Sequence, residues 1–457
     1  MVELALSLAI NGRERLMNSK LIPFRPLRHA AVLGNGDRAS LSSVAIVGLG
    51  YVGLPTAAAL HGECERIIGI DTNEQRLAEI AALEADLGEP DLLRLKEALA
   101  EGTLELTTDL SAASAADAVI ICVPTPVDAE QMPDLAALRS ACASVVSHAR
   151  PGQVIILTST TYVGTTTELL TVPLAGRGLV AGSNVHVAFS PERIDPGNPD
   201  HLQRETPRVV GGATAACTAV AAELIGRLTE TVYLVSSPDA AEATKLYENI
   251  FRAVSLALAN EFADACGALG LDPIEITLAA GTKPYGFLGV FPGPGVGGHC
   301  IPCDPHYLLW QLGRDGHKSP LIEQAMRSIT LRPERVVRRA AEILAADGRE
   351  LAGSRVIVIG AAYKAGVRDL RESPALAIIA GLARAGADVS YHDPLITDLR
   401  LPGGRQMHTV AAPKGADWDL AIVHTHEPGE DYSWVGDCPR VLDGTYQFDA
   451  VPNRMVV

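Results

Sequence analysis

The segment Phe291-Pro-Gly-Pro-Gly-Val-Gly-Gly-His-Cys300-Ile-Pro-Cys303-Asp304-Pro-His306 sets a cysteine behind a run of glycines and close to an acidic residue. Glycines expose backbone amides. An ordinary thiol, with a pKa of about 8.5, becomes a nucleophile at neutral pH only beside a cation, amide dipoles or a base. These residue types allow three chemistries: Cys300 as a covalent nucleophile, a zinc cluster of Cys300, Cys303, His299 and His306, or a Cys300/Cys303 redox pair. No second CxxC or HxxxH partner accompanies the cluster. A redox pair would open a helix of a thioredoxin-like unit, so the nucleophile is the favoured reading. Lys245 and Asn249, in Ala-Thr-Lys245-Leu-Tyr-Glu-Asn249-Ile-Phe, project from one helix face about one turn apart. The lysine there can stabilise an oxyanion while the amide orients it. Alone the pair reads better as solvated polar residues; beside the Cys300 loop it gains meaning.

A second constellation is Gly48-x-Gly50-x-x-Gly53, with Tyr51 and Val52 inside the turn. It follows a strand, opens a helix, and is trailed by Asp71 at the end of the next strand. The glycines admit a pyrophosphate to a helix N-terminus, and Asp71 accepts from the adenosine ribose hydroxyls, which favours NAD over NADP. Arg76 stands near the same ribose or phosphates, or is a solvated helix arginine.

The elements that must position these groups are legible as periodic runs. Strand-like runs at Val44–Gly48, Arg66–Asp71, Ala118–Val123, Val154–Leu157 and Val185–Phe189, separated by helical stretches, predict a parallel doubly wound sheet to about residue 235. Ser237-Pro238-Asp239 supplies an N-cap and a first-turn proline for a helix over 239–269 that stops at Gly270. At about 1.5 Å per residue such a helix exceeds roughly 40 Å, a length suited to tying two domains together and packing against a second subunit. A Gly/Pro-rich loop from Gly281 to Pro305 and a helical zone to about residue 347 follow. A second unit then echoes the first: strand 355–360, helix 373–384 and strand 388–393. The fold class is therefore α/β, two Rossmann-like doubly wound domains joined by a long central helix. The expected organisation is an extension over 1–40, an NAD-binding domain over 41–236, a helical dimerisation and catalytic-loop region over 237–347, and a second mononucleotide-binding fold over 348–457.

The formal charge of −16, without basic blocks, speaks against a nucleic-acid or anionic-membrane partner. Eight scattered cysteines suit a reducing compartment, and the apolar start Met1–Ile10, interrupted by Glu3, lacks the features of a signal peptide. No run of about 18 apolar residues offers a membrane span. The expected location is the cytoplasm.

Further motifs appear in order: Gly48–Pro55 (GLGYVGLP), Cys122-Val-Pro-Thr125-Pro, Ser159-Thr160-Thr-Tyr-Val-Gly164, Ser190-Pro-Glu192-Arg, Lys245-x3-Asn249, Gly297-Gly-His-Cys300-Ile-Pro-x-Asp304-Pro, and Ala362-Tyr-Lys364 with Arg371-Glu-Ser-Pro. Together they resemble the UDP-glucose/GDP-mannose dehydrogenase family. The resemblance implies a four-electron oxidation of a sugar C6 hydroxyl to a carboxylate with two NAD per turnover, through a thiohemiacetal and a thioester on Cys300. It makes Lys245 and Asn249 the oxyanion-stabilising pair, Glu192 the acid/base carboxylate, and Asp304 with Thr160 the groups that position water. Thr125 and Thr160 would line the nicotinamide side. It makes 348–457 the nucleotide-sugar-binding domain, where Lys364 would hold the nucleotide or its phosphates; Arg371 would reach the NAD pyrophosphate, and Phe291, Gly295 and Gly297 would belong to the sugar-binding loop. Without a ligand, Lys364 would be a surface lysine and Arg371 a partner of Glu372. UDP-glucose enzymes of the family commonly carry lysine where Cys303 stands. Cys303, Thr282-Lys-Pro-Tyr-Gly-Phe287 and Ser190-Pro-Glu-Arg-x-Asp-Pro-Gly-Asn198 resemble instead the branch acting on UDP-N-acetylhexosamines, with UDP- or dTDP-glucose as alternatives. The other readings are a zinc-dependent two-electron alcohol dehydrogenase using Cys300, Cys303 and His306, a sugar epimerase, and a non-catalytic binder. An epimerase generally needs Tyr-x-x-x-Lys, which none of the ten tyrosines provides.

Overall fold

The computed structural model describes residues 41–128, 130–194, 203–448, 451 and 454–457. The extension over 1–40 and the stretch Asp195–Asn198 of the branch motif lie outside the described residues. The chain divides into two compact units: an N-terminal one running to Asn249 and taking in His306–Lys318, and a C-terminal one made of Ile250–Pro305 and Ser319–Val457.

The N-terminal unit is built on eight strands: β1 (Ser43–Val47), β2 (Arg66–Ile70), β3 (Leu104–Thr107), β4 (Ala118–Ile121), β5 (Val154–Leu157), β6 (His186–Phe189), β7 (Arg208–Gly212) and β8 (Val232–Leu234). Their spatial order is β3-β2-β1-β4-β5-β6-β7-β8. The first six have the order of a dinucleotide-binding sheet, whose ligand lies beyond the carboxyl ends of the strands where the order reverses, between β1 and β4. Strands β4, β5 and, after Ser43, β1 are runs of Val, Ile, Leu and Ala buried on both faces, the pattern of a sheet covered by helices on each side. Fully burying one such aliphatic side chain contributes about 1.5–3 kcal/mol.

One pairing departs from the expected parallel sheet. β7 runs antiparallel to β6, with Ala188 opposite Gly212 and Phe189 opposite Gly211. A parallel return needs a crossover, usually a helix, and the described residues between Phe189 and Arg208 form none. That connection carries Glu192.

The long helix spans Pro238–Leu269, 32 residues. The Ser237 hydroxyl caps it by accepting from the Ala240 amide at 3.2 Å, Asp239 occupies the first turn, and the helix passes from the first unit into the second.

The C-terminal unit holds a five-stranded, wholly parallel sheet in the order β10-β9-β13-β14-β15, from β9 (Arg355–Ile359), β10 (Asp388–His392), β13 (Leu420–Val423), β14 (Val441–Asp443) and β15 (Arg454–Val456). A small antiparallel pair, β11 (Asp398–Arg400) and β12 (Gln406–His408), stands beside it. Helices Pro320–Ala346 and Pro374–Arg384 bury Val336, Ala340, Ile343, Ile378, Ile379 and Leu382 in one core with Val356 and Val358 of β9. No described helix is long and apolar enough to cross a membrane.

Candidate functional site

The expected site residues fall into two groups, one in each unit.

In the N-terminal unit the three glycines of the β1 turn have different reasons to be glycine. Gly48 takes φ +91°, and a Cβ on it would stand 2.7 Å from the Cys122 carbonyl. A Cβ on Gly53 would collide with the carbonyl of Gly48, whereas one on Gly50 would meet nothing within 4 Å. Two glycines therefore close the turn and the third leaves its outer face open, the space a pyrophosphate needs. The following helix, Gly53–Leu60, has no side-chain cap from Val52, so its first amides face outward, and Tyr51 is 40% exposed beside them.

Asp71 accepts from the Leu49 amide at 2.8 Å through one oxygen and from the Asn73 amide at 2.9 Å through the other. Each oxygen keeps a lone pair for a ribose hydroxyl. Arg76 lies over the turn, its Nε donating to the Leu49 carbonyl at 3.0 Å. The turn, the uncapped helix start and the acidic strand end thus fit a dinucleotide.

The next shelf is made by the ends of β4, β5 and β6. Thr125 is buried after β4, and Thr160 is half-buried after β5. The Ser159 hydroxyl ties the two loops by donating to the Val123 carbonyl at 2.8 Å. Glu192, after β6, accepts from the amides of Arg193 at 2.7 Å and Ile194 at 3.0 Å. Its second oxygen touches the Arg208 guanidinium in a buried ion pair without hydrogen-bond alignment. Lys245 is buried, and its ammonium donates to the Glu192 backbone carbonyl at 2.8 Å. Arg193 grips Glu248 with two nitrogens and the Pro207 carbonyl with a third, at 2.7 Å. The structure thus brings Lys245 and Glu192 together, with Asn249 one turn along the same helix.

Burial, then the Glu192 charge, pushes the Cys122 thiol up to about 12, and burial does the same to Cys142. Both stay protonated thiols, whereas Cys300 is exposed.

In the C-terminal unit Cys300 lies one turn ahead of the helix Asp304–Arg314, its carbonyl accepting from the Asp304 amide at 2.8 Å. Asp304 and Cys303 are buried. The glycines before Cys300 do more than expose amides. A Cβ on Gly295 would stand 2.5 Å from Pro374, one on Gly297 2.6 Å from Tyr363, and one on Gly298 2.8 Å from the Tyr363 ring. The Gly298 amide donates to the Arg371 carbonyl at 3.0 Å. At the other end of the loop, which begins near half-buried Phe291, the Gly293 amide donates to Asn260 at 2.9 Å and the Gly293 carbonyl accepts from Arg332 at 3.0 Å. The Cys300 loop is therefore seated on the segment from Tyr363 to Pro374, which also carries Lys364. Arg371 pairs bidentately with Asp369, Nη2 to Oδ2 at 2.7 Å and Nε to Oδ1 at 3.0 Å, where the sequence offered Glu372 as its ion-pair partner.

The turn after β9 repeats the turn after β1: the Gly360 amide donates to the His392 carbonyl at 2.8 Å, as Gly48 does to Ile70 at 2.8 Å. Asp393 occupies the place of Asp71 but accepts four backbone amides, from Ala361, Ala362, Leu395 and Ile396. It is spent on structure. Among the described residues no three His, Cys, Asp or Glu side chains stand close enough together to hold a metal ion.

Sequence reasoning missed Arg208, Glu242 and Gln311. Glu242, 1% exposed, accepts from the amides of Gly164 and Thr166; Gln311 exchanges two hydrogen bonds with the Val163 backbone. Nothing local in the sequence marks any of the three.

The NAD binding domain of the UDP-glucose/GDP-mannose dehydrogenase family matches residues 42–229, its central domain 239–328 and its UDP binding domain 357–450. Protein CapL of Staphylococcus aureus is 35% identical over 354 residues, 77% of this chain and 82% of its own. The UDP-N-acetyl-D-mannosamine dehydrogenase of Yersinia pestis is 33% identical over 370 residues, 79% of this chain and 86% of its own. A solved UDP-D-ManNAc dehydrogenase from Pyrococcus horikoshii superposes with a TM-score of 0.81 at 29% identity, covering 91% of this chain and 98% of that one. With all three family domains matched in order and relatives aligned over most of their length, the chain belongs to the UDP-glucose/GDP-mannose dehydrogenase family of NAD-dependent nucleotide-sugar oxidoreductases.

Proposed function

We propose that the substrate is a UDP-N-acetylhexosamine of the N-acetylmannosamine type, carried by a four-electron oxidation from C6 alcohol to uronate through a thioester on Cys300. The single observation that carries the reading is the exposed Cys300, one turn ahead of a helix, on a loop seated against the Lys364 segment. The names of the relatives support the sugar.

NAD, when bound, would supply the hydride acceptor for each of the two oxidations, two NAD per turnover; the Gly48–Gly53 turn with Asp71, Arg76 and Thr125 would hold it, and Arg371 is the cation assigned to its pyrophosphate. Lys245 and Asn249 stabilise the negative oxygen at C6 as its proton leaves to water held by Asp304 and Thr160. The Cys300 sulfur bonds to the aldehyde carbon and its proton goes to the aldehyde oxygen, giving a thiohemiacetal. Loss of hydride from carbon and of the hydroxyl proton leaves a thioester. Water then adds, Glu192 takes its proton while Arg208 balances the charge, the C–S bond breaks, and the uronate leaves with the thiol restored.

The division of labour follows the sequence boundaries: 41–236 for NAD, 237–347 for the nucleophile loop and dimerisation, 348–457 for the nucleotide through Lys364. On the long helix Tyr247, Phe251, Leu258, Phe262 and Leu269, each 43–72% exposed, recur at spacings that keep one face, and this stripe supports a homodimer. The cytoplasm, which keeps eight cysteines reduced, is the proposed location.

The test is NADH formation with UDP-ManNAc, UDP-GlcNAc, UDP-glucose, dTDP-glucose and GDP-mannose. A UDP-N-acetylhexosamine should give the highest kcat/KM; UDP-glucose leading the panel would refute the sugar while leaving the family intact.

A further inference from the structure

The loop after β5, which carries Thr160, is held from two sides within the N-terminal unit. From one side comes Glu242, in the first turns of the long helix. Its carboxylate accepts from the Gly164 amide at 2.6 Å, the Thr166 amide at 2.8 Å and the Thr166 hydroxyl at 2.6 Å. From the other side Gln311 clamps Val163, accepting from its amide at 3.0 Å and donating to its carbonyl at 2.8 Å. Tyr162 meets Trp310 edge-on at 5.4 Å and donates to Glu168 at 2.7 Å. A carboxylate buried this deeply is a costly fastener, tolerable because every one of its bonds is to a donor fixed in the loop. Lys245, one turn further along the same helix face, holds the loop after β6 through the Glu192 carbonyl at 2.8 Å. Consecutive turns of one helix therefore grip two consecutive loops of the sheet.

We infer that Glu242 is a positioning residue: paired with Lys245 on the rigid helix, it sets the place of the Thr160 loop relative to the Glu192 loop, and so the seat of the nicotinamide. The inference rests on the reading that Thr160 lines the nicotinamide side. Glu242→Gln keeps the size and one acceptor for Thr166 but turns an NH2 toward the Gly164 amide, donor against donor. The loop must then shift, and groups that act only on the cofactor shift with it.

The experiment measures KM for NAD, KM for the nucleotide sugar, kcat and thermal stability in Glu242→Gln, Gln311→Ala and Thr160→Ala, all in the full chain. Glu242→Gln should raise the KM for NAD about tenfold or more, the size of one lost hydrogen bond to a charged group, with the nucleotide-sugar KM within about twofold. Gln311→Ala should move the same constants in the same direction. A merely structural role would lower the melting temperature and the active fraction and leave both KM values alone. An unchanged KM for NAD in Glu242→Gln, with Thr160→Ala raising it, overturns the inference; an unchanged value in both overturns the reading of Thr160 beneath it. Should Glu242→Gln not fold, Gln311→Ala decides by the same criteria.

Discussion

Replacing Arg208 by methionine should leave the Glu192 carboxylate buried without its counter-charge. The two side chains are 2% and 9% exposed, so water cannot take the place of the lost guanidinium. Removing one partner of a buried ion pair costs about 3–5 kcal/mol, and the two amides that remain on Glu192, from Arg193 and Ile194, put the expected cost near about 3 kcal/mol. Glu192→Gln keeps an acceptor for those amides and strands the Arg208 charge, with a loss of similar size. The double variant removes both charges and should lose less than the sum of the singles by about 2 kcal/mol or more. Native-state hydrogen exchange of the β7 amides reads the opening free energy of this unit alone, which avoids assuming two-state unfolding of the whole chain. Single losses that add to within about 0.5 kcal/mol in the double variant would refute a coupled buried pair.

Gly48→Ala should destabilise the N-terminal unit, since its Cβ would stand 2.7 Å from the Cys122 carbonyl at φ +91°; Gly50→Ala, with nothing within 4 Å, should fold with an unchanged melting temperature and show its cost only as a raised KM for NAD. Burial holds His424 down at about 4 against an ordinary value of 6.5. The unfolded chain therefore takes up the proton first. The stability held by a neutral His424 is present above about pH 6.5 and is lost as pH falls towards 4, about 3 kcal/mol in all, read as a falling urea midpoint that His424→Gln should flatten. Phe262→Glu, in the exposed stripe of the long helix, should shift the protein to monomer in light scattering, and an unchanged mass would remove that face from the interface.

The parts of this molecule that the sequence declares are those where backbone geometry restricts residue type. Gly48 and Gly53 are forced by a turn, Asp71 by a strand end, and the long helix announces itself through Ser237, Pro238 and Gly270, a start and stop matched to within a residue or so by Pro238–Leu269. The antiparallel pairing of β6 with β7 was not legible, because strand direction depends on the route of a connection and not on the strand's own residues. The glycines ahead of Cys300 were read as amide donors and, at Gly295 and Gly297, as part of a sugar-binding loop. Their close contacts with Tyr363 and Pro374 come from a segment distant in sequence, which no local pattern reports. Arg208, Glu242 and Gln311 are charged or polar residues of kinds that cover ordinary surfaces, and only tertiary contacts turn them into fasteners. Arg371 pairs with Asp369, two positions away, where the sequence offered only Glu372 as its ion-pair partner.

The central claim is that Cys300 carries the substrate between two oxidations, and the most direct measurement is the ratio of NADH to uronate in the natural chain and in Cys300→Ala, with both products quantified on the same UDP-N-acetylhexosamine. The account predicts about two NADH per uronate for the natural chain, and for Cys300→Ala no uronate and at most about one NADH per sugar, with the aldehyde or its hydrate left as product. Uronate formed by Cys300→Ala at the natural rate, still with about two NADH each, would contradict it.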